Sequence, residues 1–165
     1  MTLARGEIDL VPTYVDDYRG WPTGPKQEAH GVYGTFLNPT MAWRDAMPEK
    51  TVGYHTAIDI LVNDAAGHHP VFAVEGGVVH EAHIGHLAPP GKDPIACGVV
   101  GIKHFRYAHI IPEVEVGETV EAGARIGHTC GGWWHVHLEE YVTVGGKRIA
   151  VNPMRPGGKL TPFAD

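Results

Sequence analysis

The run Trp134-His135-Val136-His137-Leu138-Glu139 carries the densest chemistry in this 165-residue chain. In an extended strand, neighbouring side chains alternate faces. His135, His137 and Glu139 therefore share one face, and Val136 and Leu138 share the other. Such a strand has its back in a core and its front in a polar site. Earlier in the chain, His55 and Asp59 lie on one face of a second extended run, with small Ala57 between them. An imidazole nitrogen and a carboxylate oxygen are both good ligands for Zn2+, with bonds of about 2.0–2.2 Å. A catalytic zinc takes three protein ligands and leaves one position open. His137 is the natural third partner for His55 and Asp59. A further run, Arg106-Tyr107-Ala108-His109-Ile110, offers another histidine, with Tyr107 on its face and Ala108 and Ile110 on the other.

These groups need strands to hold them, and the composition favours strands. The chain has 22 glycines and 13 prolines, and no long stretch of helical period. That predicts an all-β fold, an antiparallel sandwich or open barrel of short strands with little helix. Residues 1–30 mix prolines, glycines and aromatics and read as an irregular arm lying on one domain that spans 31–165. Gly31–Phe36 reads as a short strand, Met41–Met47 as a helical turn, and Val52–Val62 as a long strand. Pro70–Val74 and Gly77–His80 read as a strand pair, followed by a loop at Pro89-Pro90-Gly91. Gly98–Lys103, Arg106–Ile111, the alternating stretch 114–127, His135–Val144 and Lys147–Val151 complete about eight strands.

His-x-x-x-Asp, then Tyr-Ala-His-Ile, then His-x-His-Leu-Glu, in that order, resembles the lysostaphin-type zinc endopeptidases over roughly Gly31 to Pro153. Two connecting stretches fit as well, Ala73-Val74-Glu75-Gly76-Gly77-Val78-Val79 and Val116-Gly117 through Ile126-Gly127. The resemblance implies the duplicated hybrid motif fold, zinc held by His55, Asp59 and His137, and His109 and His135 as the catalytic pair. It further implies peptidoglycan peptides as the substrate. Metal-activated water would attack the scissile carbonyl, His135 taking or relaying the proton and His109 steadying the oxyanion or protonating the leaving amine. The chain departs from the family pattern in three places. Ala57 stands where the family has glycine, the hairpin between His104 and His109 is short, and Cys130-Gly131-Gly132-Trp133-Trp134 replaces the usual Ser-Thr-Gly-Pro.

Other residues carry lesser expectations. Glu139 can orient an imidazole, His104 shares parity with Val100 and Ile102, and Trp133 and Trp134 suit either a groove wall or a core. His68, His69, His80, His83 and His86 read as solvated or structural residues in turns and loops. Cys97 and Cys130 lack metal-ligand spacing and read as two separate thiols. A net charge of −6, with 13 basic residues scattered among 19 acidic ones, argues against nucleic acid. No apolar run is long enough to span a membrane, and the N-terminus has no signal-peptide pattern. The expected setting is cytoplasmic, phage-associated or reached without a signal peptide, with oligomeric state undetermined. Two other functions fit such a β scaffold, a phosphocarrier using His55 and a non-catalytic binding module. A zinc hydrolase acting on a small molecule is a third.

Overall fold

Alternating apolar and polar residues broken by glycine become strands throughout the described part of the chain. In this computed structural model that part is residues 29–34 (backbone only), 56–62, 68–87, 91, 93–132, 135–154 and 160. The strands are β1 (Ala29–Gly34), β2 (Ala57–Val62), β3 (Pro70–Phe72), β4 (Gly77–Leu87), β5 (Ile95–Ile102), β6 (Phe105–Pro112), β7 (Thr119–Val120), β8 (Arg125–Thr129), β9 (His135–Val144) and β10 (Lys147–Val151). All pairings are antiparallel, and among the described residues there is no helix. Consequently none there is long and apolar enough to cross a membrane. The all-β expectation holds. The N-terminal arm up to residue 28, the turn at 41–47, His55, Trp133 and Trp134 lie outside the described residues.

The main sheet runs β1-β2-β9-β6-β5-β4-β7, with β10 beside β9, and β8 joined to both β3 and β6. One face of it is apolar by alternation, interrupted once in β6 between Tyr107 and Ile110. Ile58 and Ile60 of β2, Val136 and Leu138 of β9, Phe105, Tyr107 and Ile110 of β6, and Val100 and Ile102 of β5 all enter one buried cluster. Val71 of β3, Ala73 just after it, Val120 of β7 and Ile126 of β8 join the same cluster. Burial of these branched and aromatic side chains in one core is the main stabilising term of the fold.

The structure corrects four expectations. Pro70–Val74 and Gly77–His80 do not pair with each other, since β3 pairs with β8 and β4 with β5 and β7. A bend at Val74 and Glu75 separates Pro70–Phe72 from Gly77–Leu87, and each pairs with other strands. His83 and His86, expected in or near a loop, lie with His80 on β4, which runs on past His80 to Leu87. Alternating pattern over 114–127 yields only the short β7 and β8, because Gly117 and Gly123 take positive φ and turn the chain. Finally, Cys97 and Cys130 are joined as a disulfide with Cα atoms 5.5 Å apart, both buried. The strand pairing brings these distant positions within bridging distance, and no local spacing could announce it.

Tyr107 is fully buried, and its hydroxyl accepts a hydrogen bond of 2.8 Å from the Val74 amide. That bond ties β6 to the segment after β3. Tyr107→Phe strands a buried N–H, so it should lower unfolding free energy by about 1–3 kcal/mol in denaturant titration with the fold unchanged. An unchanged midpoint would show that Val74 finds another acceptor.

Candidate active site

The reverse face of the same sheet is polar, and register decides what meets on it. Asp59 of β2 stands opposite His137 of β9, and His137 stands opposite Ala108 of β6. Directly opposed residues project to the same side, so the carboxylate and imidazole are neighbours. Asp59 Oδ1 lies 3.0 Å from His137 Nδ1 and 3.5 Å from His135 Nε2. Small Ala108 leaves the floor of the site low. Asp59, His109 and His137 are all buried, and His135 is nearly so.

His109 arrives by a different device. Gly98 pairs with Ile110 and Val99 with Ala108, so β6 carries one more residue than β5 there, a β-bulge. That residue is His109, with φ at 63°. The bulge breaks the alternation, so His109 joins Ala108 on the polar face. Its ring packs edge-on against His135 at 4.8 Å and against His137 at 5.6 Å between centroids. Tyr107, expected on the same face as His109, is instead in the core beside Phe105 and Ile110. Strict alternation would have put Tyr107 with His109, and the bulge is why it does not. Its amide carbonyl accepting from Cys130 N at 3.0 Å fixes the His109 backbone next to the disulfide.

Of the expected site residues, then, Asp59, His109, His135, His137 and Glu139 come together. His104 does not. It sits in the tight turn between β5 and β6, with its Nδ1 2.9 Å from Glu75 Oε2 and its side chain largely exposed. Among the described residues no set of three His, Cys, Asp or Glu side chains forms a metal cage. The third expected ligand, His55, lies outside them. The donors that are described fit zinc: one carboxylate oxygen and one imidazole nitrogen face each other, both buried, as a hard-to-borderline cation requires.

Glu139 lies beside His137, its Oε1 3.5 Å from His137 Nε2. Sequence reasoning missed the residues that hold Glu139. Its Oε2 accepts from Tyr141 Oη at 2.9 Å and from Arg106 Nη1 at 3.3 Å. Strand parity marks Tyr141, two residues on, but Arg106 enters only through pairing of β6 with β9. Burial alone would pull the His137 pKa down. Hydrogen bonds and charges from Asp59 and Glu139 outweigh it and raise the value to about 9 from 6.5. Glu139 is likewise pushed up by burial but held down at about 2 by His137, Tyr141 and Arg106.

No family model matches the chain, and no curated protein matches it. Solved structures do. A LytM protein of Ruminococcus gnavus assigned as a glycyl-glycine endopeptidase is 27% identical, with a TM-score of 0.41, over 58% of this chain and 43% of that one. The chain thus spans less than half of that structure. A chain of the SpoIIQ–SpoIIIAH pore-forming complex is 21% identical, with a TM-score of 0.53, over 88% of this chain and 90% of that one. Lysostaphin is 22% identical, with a TM-score of 0.45, over 81% of this chain and 57% of its own. The likeness to the SpoIIQ–SpoIIIAH chain extends over most of both and shows a shared fold.

Two measurements follow from the site's strain and charge. A left-handed backbone costs a non-glycine residue roughly 1–2 kcal/mol, and glycine is free of that cost. His109→Gly should therefore be more stable than His109→Ala by about 1 kcal/mol in denaturant titration. Equal stability, or a more stable alanine variant, would show that the bulge relaxes. For His137, a folded pKa raised to about 9 means that the folded chain holds this proton more tightly than the unfolded chain. The resulting stability is fully present below about pH 6.5 and is lost as pH rises through about 9. Metal-free wild type should lose stability over that window, and His137→Gln should show a flatter profile.

Proposed function

We propose that this chain is a zinc-dependent hydrolase of peptide bonds, acting on peptidoglycan peptides. The observation that carries the reading is the convergence of Asp59, His135, His137 and His109 on one polar face, with contacts of 3.0 and 3.5 Å and edge-on imidazole rings. It is supported by the ordered motifs His55-x-x-x-Asp59, Tyr107-Ala108-His109-Ile110 and His135-x-His137-Leu138-Glu139, which resemble those of lysostaphin-type endopeptidases. The substrate class is taken from that resemblance.

In this reading His55, Asp59 and His137 hold the metal. Bound zinc supplies a Lewis acid and an acidified water at neutral pH. The remaining work falls to the chain's own side chains. His135, with Nε2 3.5 Å from Asp59, takes or relays a proton at that nitrogen. His109, held edge-on to both other imidazoles, donates a hydrogen bond to the developing oxyanion or a proton to the leaving amine.

The phosphocarrier reading, with His55 phosphorylated, is disfavoured by the His135-x-His137 pair, because a carrier needs a donor and an acceptor histidine and not a third and a fourth. Hydrolysis of a small amide by the same zinc remains a matter of substrate and is tested alongside.

The decisive experiment measures zinc per chain and cleavage of purified peptidoglycan, with and without a chelator, in wild type and His55→Ala. One zinc per wild-type chain, lost with His55, together with chelator-sensitive cleavage, is the expected result. His109→Ala and His135→Ala should keep zinc and lose about 10²- to 10⁴-fold in kcat. Cleavage that survives metal removal would refute the proposal. Zinc with cleavage of small amides alone would move the substrate class.

A further inference from the structure

Next to the row that holds Asp59 and His137, a second row of residues crosses five strands in register. Glu81 of β4 stands opposite Gly101 of β5, Gly101 opposite Arg106 of β6, Arg106 opposite Glu139 of β9, and Glu139 opposite Ala57 of β2. We infer that Arg106 is a positioning residue for the metal site: it clamps Glu139 so that the second carboxylate oxygen holds the outer nitrogen of His137, leaving the inner nitrogen aimed at Asp59. This inference rests on the zinc reading above.

The contacts divide cleanly among atoms. Arg106 binds Glu81 with Nε at 2.9 Å and Nη2 at 3.2 Å, a two-pronged pair that fixes the plane of the guanidinium. Nη1 remains, and it reaches Glu139 Oε2 at 3.3 Å, where Tyr141 Oη also donates at 2.9 Å. Glu139 Oε1 is thereby turned to His137 Nε2, 3.5 Å away. In the metal-free chain Nδ1 donates to Asp59 at 3.0 Å, and with Nε2–H held toward Glu139, Nδ1 is the nitrogen that would be left to bind a metal beside Asp59. Tyr141 is itself held, with the Arg148 guanidinium 3.9 Å above its ring.

The rest of the row makes room for this clamp. A Cβ on Gly101 would come 2.5 Å from His80 Cε1 and 3.0 Å from the Glu81 Cβ, so glycine between Arg106 and Glu81 avoids crowding His80 and Glu81. Ala57, where the resembling family has glycine, ends the row against Glu139 with a methyl group and adds no competing polar atom. Arginine is suited to the central place because one planar fork can serve two carboxylates at fixed angles, which an ammonium cannot.

The test uses purified Arg106→Met, Arg106→Lys and Glu139→Gln alongside wild type. Zinc affinity is read by chelator competition, and exchange of the His137 Nε2–H proton by nitrogen-15 NMR in the metal-free proteins. Loss of an outer partner of a metal-bound histidine typically weakens binding 10- to 100-fold. Arg106→Met and Glu139→Gln should each weaken zinc at least about tenfold and speed Nε2–H exchange, and Arg106→Lys should recover only part of the loss. Thermal unfolding checks that each variant is folded. If Arg106→Met does not fold, Glu81→Gln, at the far end of the row, should shift both readouts in the same direction. Zinc affinity within twofold of wild type and unchanged exchange in folded Arg106→Met would overturn the inference. A wild type that takes up no zinc would overturn the hydrolase reading, and proton exchange would then judge the row by itself.

Discussion

The register between β2, β9 and β6 is the constraint on which everything else in this molecule depends. Asp59 opposes His137 and His137 opposes Ala108, while one residue away Ile58 opposes Leu138 and Leu138 opposes Tyr107. The two rows face opposite sides of one sheet. A slip of a single residue would carry the carboxylate and imidazoles into the core and bring Ile58 and Leu138 out to solvent. Burial of the apolar row therefore fixes the polar row, and the site inherits its precision from the core.

Electrostatics on the polar face favours positive charge at His137. Asp59 and Glu139 are buried carboxylates flanking His137, and their charges overcome desolvation to keep its ring protonated. In the metal-free chain, a proton thus supplies the positive charge that the two carboxylates call for. A divalent ion at the same nitrogen would replace it, which links metal binding to proton release. Arg106 balances the outer carboxylates from the other side. It adds to the stronger effects of His137 and Tyr141 in keeping Glu139 ionised.

One irregularity gives the site its last imidazole. A perfectly regular β6 would send His109 into the core with Tyr107, and the bulge at Gly98 and Val99 reverses that. The left-handed backbone at His109 is strain placed where it re-aims a side chain, the common use of a bulge beside a site. Its surroundings hold the conformation. Cys130 donates to the His109 carbonyl, and the bridge from Cys130 to Cys97 anchors that segment to β5.

Period-two patterning is local, so it is written in the sequence. It was enough to read the all-β class, the inward run of Val136 and Leu138, the outward run of His135, His137 and Glu139, and the Lys147–Val151 return strand. Relations between strands are not local. Which strand lies beside which, that β3 pairs with β8, that Cys97 meets Cys130, and that Arg106 reaches Glu81 over Gly101 all depend on the folded sheet. The bulge at His109 belongs with these, since it is defined only by the count of residues on the neighbouring strand. Side-chain alternation thus determined which chemical groups share a face, and backbone pairing across the sheet decided which of them touch.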